Sequence, residues 1–155
     1  MEIRAAADLE TVLALRLAFL GELRGVDPTD FDPAFVDVTR RYLEDATAAD
    51  RIRSWLAFDG DVPIGIVSVL ANDSPPLPEE HRAKEGYVVN LWVAPTARRR
   101  GIARTLLRTA KAAARDEGWR RLYLHATEEG RPLYEDEGFA PDARWMGTRI
   151  EALGE

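Results

Sequence analysis

A short basic turn at residues 94–101 lies between a strongly β-forming segment and a strongly helical one, and it constrains the fold more than any other feature. The segment before it, residues 85–93, is rich in Val, Tyr and Trp, which favour strands. The segment after it places Ile102, Leu106 and Ala110 at the spacing of one helical face. A strand followed at once by an amphipathic helix is typical of α/β domains. We therefore expect an α/β fold with a mixed sheet.

The remaining segments predict helices and strands along the whole chain. Asp8 and the pair Asp32-Pro33 are signals for helix N-termini, and Gly25 and Gly118 are signals for helix C-termini. The predicted elements are, in chain order, a strand around Ile3, a helix ending near Gly25, a helix from Pro33 to about Ala48, a hairpin of residues 51–58 and 63–70, a loop at 72–78, a strand at 85–93, a helix from Ile102, a strand at 121–125, a short helix at 131–137, and one or two last strands at Phe139 and 145–150. No linker separates them, so we expect one domain over residues 1–155.

The composition excludes several classes of active site. The chain of 155 residues has no cysteine, which excludes disulfides, thiolate nucleophiles and iron–sulfur clusters. His81 and His125 lack the spacing of a helical metal pair, so we expect no metal. The N-terminus has no basic-then-apolar signal, and no apolar run approaches the roughly 20 residues needed to span a bilayer. We therefore expect a cytoplasmic protein that does not enter a membrane.

The charges are distributed unevenly along the chain. A net charge of −6 at pH 7 argues against nucleic-acid binding, which depends on a basic face. A basic island nevertheless surrounds the start of the helix behind the turn, and its members are Arg98, Arg99, Arg100, Arg104, Arg108 and Lys111. A helix N-terminus presents unpaired amides to a phosphate, and the small residues Gly101 and Ala103 let the backbone approach closely. These residues indicate a polyanionic small ligand, although a solvated basic loop explains the same pattern.

Two motifs in this chain resemble those of the GNAT superfamily of N-acetyltransferases. The first is the turn Arg98-x-x-Gly101-x-Ala103, preceded by Val93-Ala94-Pro95, and it matches the Arg/Gln-x-x-Gly-x-Gly/Ala turn that follows the fourth strand in that family. The second, residues 133–139, reads Leu-Tyr-Glu-Asp-Glu-Gly-Phe and matches the family pattern Leu-Tyr-Glu-x-x-Gly-Phe. Both motifs occur in the expected order and element context.

The resemblance implies a fold, a reaction and a cosubstrate. The fold is a central, mostly antiparallel sheet that splays between strands four and five and is flanked by helices. The reaction is transfer of the acetyl group of acetyl-CoA to a primary amine of an unidentified acceptor, without a metal. The implied CoA-binding residues are the strand residues Leu91, Trp92 and Val93, the phosphate-facing Arg98, and the turn and helix residues Arg99, Arg100, Gly101, Ile102, Ala103, Arg104 and Thr105.

The same resemblance suggests catalytic residues near the fifth strand. Tyr134 matches the tyrosine that many members place near the thioester sulfur as a general acid. Several relatives carry a carboxylate base at a position that corresponds to Tyr123, so this chain lacks it. His125 lies on the same predicted strand face, and an imidazole suits a base near neutral pH, although a structural histidine explains it equally well. Glu85 is the alternative base, acting through water.

Other functions remain open from the sequence alone. The acceptor is expected to be a small molecule, but a protein N-terminus or lysine is an alternative, as is a longer acyl group. A different class of protein, a CoA-binding regulatory module without turnover, also fits the residues. By resemblance to the family, we also expect a homodimer.

Overall fold

The central sheet of the protein joins strands that follow one another in the chain. The structure is a computed structural model that describes residues 1–150, so residues 151–155 of the predicted domain lie outside the description. Over these described residues the sheet has five strands in the order β1-β2-β3-β4-β5, and all neighbours are antiparallel except β4 and β5, which are parallel. The strands are β1 (Glu2–Ala5), β2 (Ile52–Asp59), β3 (Val62–Asp73), β4 (Lys84–Val93) and β5 (Arg121–Tyr123). This arrangement confirms the predicted fold class.

In the described residues 1–150, four α-helices accompany the sheet, and local sequence signals fix their ends. They are α1 (Leu9–Arg24), α2 (Pro33–Ala48), α3 (Ile102–Asp116) and α4 (Arg131–Asp136). The carboxylate of Asp8 accepts hydrogen bonds from the amides of Glu10 and Thr11, and Asp32 accepts one from the amide of Ala34. The chain divides into two compact units, Met1–His125 and the residues from Ala126 onward. The sheet and the first three helices belong to the first unit.

Helices cover both faces of the sheet in the first unit. The face under α1 and α2, here called the α1/α2 face, carries Leu56 and Ile66, which pack with Val12, Leu13 and Leu43. The alternate residues of each strand point to the opposite face. That face lies under α3, because a Cβ added at Gly65 would come within 3.2 Å of Leu106. The strongly apolar face of α3, with Ile102, Leu106, Leu107 and Ala110 all buried, explains this position.

The parallel strands β4 and β5 separate after a short contact. They pair only at Glu85↔Arg121, Gly86↔Leu122 and Tyr87↔Tyr123, although β4 continues to Val93. Among residues 1–150, no strand pairs with β4 on the β5 side beyond Tyr87. The predicted splay between strands four and five is therefore present, and it leaves one edge of β4 open.

A β-bulge interrupts β4 at the open edge. The register with β3 shifts between Ile66 and Ser68, and Asn90 has a φ of 56°, in the left-handed region. Asparagine tolerates this conformation better than most residues do. The amide of Asn90 is buried, and its Nδ2 donates a hydrogen bond of 3.4 Å to Ser68 Oγ, which itself lies 2.7 Å from Ser54 Oγ. The bulge is thus held by a polar chain on the α1/α2 face.

Among residues 1–150, one predicted element is absent and two predicted strand ends lie elsewhere. The last strands expected at Phe139 and residues 145–150 are wrong, because residues 139–150 form no strand. Trp145, Met146 and Ile150 are exposed there, so they bury no face of the kind that stabilises a strand. β3 runs on to Asp73, into the predicted loop, because its register with β4 continues to Asp73↔Lys84. β5 ends at Tyr123 rather than His125, where the contact with β4 ends.

Candidate active site

The turn before α3 presents a row of backbone amides without partners. Arg99 and Gly101 both have left-handed φ values, 65° and 75°. Within residues 1–150, the amides of residues 99–103 donate no hydrogen bond, and α3 begins in this stretch at Ile102. Successive free amides and the positive end of a helix dipole make a concave anion site. A Cβ added at Gly101 would meet nothing within 4 Å, so the backbone there is open to a ligand.

Some basic side chains around this turn form ion pairs with carboxylates of the same chain, and Arg99 is exposed. Arg98 Nη2 lies 2.7 and 2.6 Å from the two carboxylate oxygens of Glu22, and its Nε donates to the Val93 carbonyl at 3.0 Å. Arg100 pairs with Asp59 at 3.0 Å. The structure therefore places the guanidinium of Arg98, which the sequence assigned to the nucleotide phosphates, against Glu22.

Two further predicted CoA-binding residues have defined contacts. Thr105 Oγ1 donates to the Gly101 carbonyl at 3.0 Å, so its hydroxyl can accept from a ligand but is already used as a donor. The indole N–H of Trp92 donates to Glu22 Oε2 at 2.7 Å. Hydrogen bonds from Arg98 and Trp92 hold the pKa of Glu22 below its ordinary value. Glu22 thus ties α1 to the end of β4 and to the turn.

The open edge of β4 leads directly into this turn. Leu91, Trp92 and Val93 lie on the part of the strand that β5 leaves unpaired, and the chain passes from Val93 through Ala94 into the basic turn. An extended ligand with amide groups can pair with such an edge as an added strand does. A strand edge followed by free amides fits a cosubstrate that has a pantetheine arm and a pyrophosphate.

An aromatic and histidine cluster lies on the α1/α2 face where β4 and β5 part. Tyr87 and Tyr123 are register partners and their rings stack at 5.3 Å. The hydroxyl of Tyr87 lies 2.7 Å from His125 Nδ1, and the hydroxyl of Tyr123 donates to Asn72 Oδ1 at 3.2 Å. Sequence reasoning identified His125 but missed Tyr87. The signal that could have found Tyr87 is the parallel pairing of β4 with β5. With strand alternation, this pairing places Tyr87 on the same face as Tyr123 and His125.

Glu85, the alternative base, lies buried in an ion-pair network. Its side chain is 4% exposed, and Oε1 accepts from Arg120 Nε at 2.5 Å and from Arg121 Nε at 2.9 Å. Burial raises the pKa of this carboxyl, but the two arginines together outweigh burial and hold it below its ordinary value. Glu85 is therefore ionised at neutral pH and firmly paired.

Tyr134 belongs to the second unit, where α4 carries it. Its ring lies 6.0 Å from that of Phe139 in an edge-to-face arrangement. Gly130 provides the space, because a Cβ there would lie 2.9 Å from the Tyr134 ring. Burial raises the pKa of the Tyr134 phenol, so the hydroxyl carries its proton throughout the neutral range.

The structure also bears on the expectations about metals and membranes. In the described part of the chain, no group of three or more carboxylates and histidines is arranged to hold a metal ion. Across residues 1–150, each helix is too short or too polar to cross a bilayer.

Comparison with known proteins supports the motifs at the level of a family. A model of the acetyltransferase (GNAT) family matches residues 18–139. Human N-acetyltransferase 8 is 31% identical over 106 residues, which are 66% of this chain and 43% of that protein. The chain spans less than half the length of the curated relatives it matches.

Solved structures share the fold over nearly their whole length. A GCN5-related N-acetyltransferase from Ralstonia eutropha JMP134 is 31% identical, with a TM-score of 0.78 over 96% of this chain and 97% of that one. A predicted acetyltransferase from Clostridium acetobutylicum, solved with acetyl-CoA, is 24% identical, with a TM-score of 0.81 over 96% and 95% of the two chains. Family model, sequence relatives and fold agree, and the chain belongs to the acetyltransferase (GNAT) family.

Proposed function

We propose that the protein transfers the acetyl group of acetyl-CoA to a primary amine of a small molecule. The observation that carries this proposal is the continuity of the open β4 edge with the unpaired amides of residues 99–103. A regulatory module that only binds CoA would need the same cradle. The polar cluster of Tyr87 and His125 beside that edge favours turnover, because a binding module has no use for a proton acceptor there.

The first unit supplies the groups that bind acetyl-CoA. The amides of residues 99–103 and the positive end of α3 receive the pyrophosphate. Arg99 and the other basic residues of the island, apart from Arg98, attract the nucleotide phosphates. The backbone of Leu91 and Val93 pairs with the pantetheine arm. Arg98 and Trp92 act indirectly, since both bind Glu22 and so fix the end of β4 next to the turn.

His125 accepts a proton from the attacking amine. An alkylammonium ordinarily has a pKa of about 10.4, so the amine must lose a proton before its lone pair can attack the thioester carbonyl. When Nδ1–H of His125 donates to the Tyr87 oxygen, the lone pair lies on Nε2, which is the atom that takes the proton. The contact with Tyr87 therefore orients the ring. Glu85, already paired with Arg120 and Arg121, orders the start of β4 and β5.

Tyr134 protonates the departing thiolate. As the new C–N bond forms and the C–S bond breaks, the electron pair of that bond goes to sulfur, and a phenol that has kept its proton can neutralise it. The Tyr134 phenol keeps its proton at neutral pH, as a general acid must. Because a thioester is already activated, we expect positioning of the substrates to supply a large share of the acceleration.

The experiment that tests the function measures thiol release from acetyl-CoA with a panel of small amines, peptides and lysine-containing proteins. Amine-dependent release with small amines supports the proposal, and release only with peptides or proteins moves the acceptor to that class. Saturable CoA binding by calorimetry without release in any arm would identify a binding module. A cytoplasmic location and a homodimer stay predictions.

A further inference from the structure

Arg16, in the middle of α1, is a half-buried cation without a carboxylate partner among residues 1–150. Its Nη1 donates a hydrogen bond of 2.5 Å to Asn90 Oδ1, a neutral acceptor. Other half-buried arginines of the same unit are paired, as Arg98 is with Glu22 and Arg120 with Glu85. A partly buried charge that lacks a counter-ion is costly unless a ligand provides one.

The guanidinium of Arg16 keeps one binding edge available. Burial lowers the pKa of Arg16 and the nearby Tyr42 phenol opposes the shift, but an arginine remains charged at neutral pH. No buried side-chain nitrogen or oxygen in the described part of the chain lacks a hydrogen-bond partner. Nε and Nη2 of Arg16 have no such partner, so neither atom is fully buried. Together they form the planar fork that binds a carboxylate with two hydrogen bonds.

The position of Arg16 relates this fork to the acyl-transfer site. Asn90, its partner, is the bulge residue of β4 and immediately precedes Leu91, on the open edge of the strand. Tyr42 of α2 lies on the same side, and its side chain is partly exposed. A small molecule that contacts Arg16 therefore lies on the α1/α2 face, beside the strand that holds the acetyl donor in the proposed function.

Of the four carboxylates in and near the loop after α1, three form hydrogen bonds within the fold, and the fourth, Asp30, is exposed. Glu22 binds Arg98 and Trp92, Asp27 accepts from the amide and hydroxyl of Thr29, and Asp32 accepts from the amide of Ala34. Arg16 is the half-buried cation next to the bulge of β4, and it selects for an anion on the acceptor.

We propose that the acceptor is an amino acid, a small molecule with both a primary amine and a carboxylate, and that Arg16 binds the carboxylate. The inference rests on the proposed function and specifies its substrate class. A carboxylate held by Nε and Nη2 leaves the amine free to reach the edge of β4, where the thioester is presented.

The test compares the common amino acids that have a primary α-amine and no thiol with their α-amides as acceptors, using thiol release to measure kcat/KM. For each acid that is turned over, Arg16→Gln should lower kcat/KM by about 10²-fold, since the variant loses two hydrogen bonds between charged groups. Turnover of the matching amide should change by less than about threefold, and Arg16→Lys should fall between wild type and Arg16→Gln. The amine of an amino-acid amide is less basic than that of the acid, so the two acceptors differ in reactivity even in the wild type. The decisive quantity is therefore the ratio of kcat/KM for the acid to kcat/KM for the amide, compared between variants.

Controls separate recognition from structure. Arg41→Gln removes a cation from the exposed side of α2, where Arg41 Nε donates to the Asp37 carbonyl, and should leave the ratio unchanged. The Kd of CoA should be the same in wild type and Arg16→Gln. An equal loss for acids and amides would show that Arg16 only holds the bulge, and a wild type that does not distinguish them would overturn the proposal.

A failure of the proposed function itself gives a different result. If no acceptor causes thiol release from acetyl-CoA, the unfolding temperature of the protein is measured in the presence of CoA. N-acetylated amino acids are added in one series and their amides in the other. A rise with the acids in wild type that Arg16→Gln abolishes supports the carboxylate site even without turnover. No rise in wild type rejects it.

Discussion

Neighbouring side chains of one chemical type have different roles in this site. Tyr87 and Tyr123 stack as register partners, yet one hydroxyl contacts His125 and the other contacts Asn72. Glu85 lies in the same region but is already bound by two arginines. The sequence alone could not distinguish these roles, because each depends on which side chain the fold brings opposite.

The first prediction concerns the proton acceptor. A general base must be neutral before it can accept a proton, so kcat/KM should rise with pH if His125 is the base. His125→Ala should flatten this rise and lower kcat/KM by about 10²-fold, the usual scale of general-base catalysis. Tyr87→Phe should lower kcat/KM by a smaller factor, since the imidazole remains but loses its orienting partner.

Tyr123→Phe is the matched control for Tyr87→Phe. It removes a stacked phenol hydroxyl from the partner position, but that hydroxyl contacts Asn72 and not His125. It should therefore leave the pH profile unchanged. If His125→Ala keeps the wild-type profile and a rate within a few fold, His125 is structural and the base is another group.

The second prediction concerns Tyr134. Tyr134→Phe keeps the ring against Phe139, so the unfolding temperature and the Kd of acetyl-CoA should change little. The loss of an acid that protonates the thiolate should lower kcat by about 10²-fold. Steady-state kinetics and calorimetry measure the two effects separately. Parallel losses in binding and turnover would mean that the residue serves packing alone.

At the scale of elements, the turn before α3 and the edge of β4 act together. Local sequence predicted both, because Gly101 and the apolar spacing behind it mark a helix start, and residues 85–93 form a strong strand. The bulge at Asn90 and the ion pair of Arg98 with Glu22 were not predictable in this way. The partners of these residues, Ser68, Arg16 and Glu22, are separated from them by 22, 74 and 76 positions.

The third prediction tests the amide cradle. Gly101→Glu places a carboxylate where the phosphate should lie and strains a backbone with a φ of 75°. The Kd of CoA should rise by about 10²-fold, which corresponds to losing two charge-assisted hydrogen bonds of ~1.5 kcal/mol each. Gly118→Glu is the control, because Gly118 follows the other end of α3 with a φ of 71° and similarly open surroundings. Equal affinities in the two folded variants would reject the cradle.

At the scale of the whole molecule, the order of the elements was predictable and the last segment was not. Alternating helix and strand signals, with caps such as Asp8 and Asp32, determined the sequence of elements up to α4. Apolar residues at 145–150 suggested a strand, but a strand needs a partner and a buried face, and Trp145 is exposed. The hairpin of β2 and β3 was predicted because its turn and both strands are local.

The fourth prediction concerns the acid stability of the whole fold. The pKa of Glu85 is below its ordinary value of 4.5, so the pair with Arg120 stabilises the folded state above that value. This stabilisation is lost as the pH falls from about 4.5 through the folded-state pKa, because the unfolded state then binds the proton more readily. Glu85→Gln should reduce this acid-dependent loss and lower stability at pH 7 by about 3 kcal/mol, since it removes the carboxylate that pairs with the largely buried Arg120.

Urea unfolding between pH 3 and pH 7 measures both effects. Glu10→Gln is the control, because Glu10 pairs with Arg40 at the surface with 62% of its side chain exposed. Surface pairs contribute little, so this variant should remain close to wild type. A Glu85→Gln protein with wild-type stability at pH 7 would contradict the prediction.

The separation of β4 from β5 has a consequence for how the protein behaves at high concentration. An unpaired sheet edge is a template on which another chain can add a strand, and natural proteins usually block such edges. Here the proposed cosubstrate would occupy the edge, so ligand-free protein should self-associate more readily than saturated protein. At a ligand concentration 100 times the Kd, binding also stabilises the fold by about 2.7 kcal/mol. The cosubstrate would thus protect the enzyme from aggregation as well as take part in its reaction.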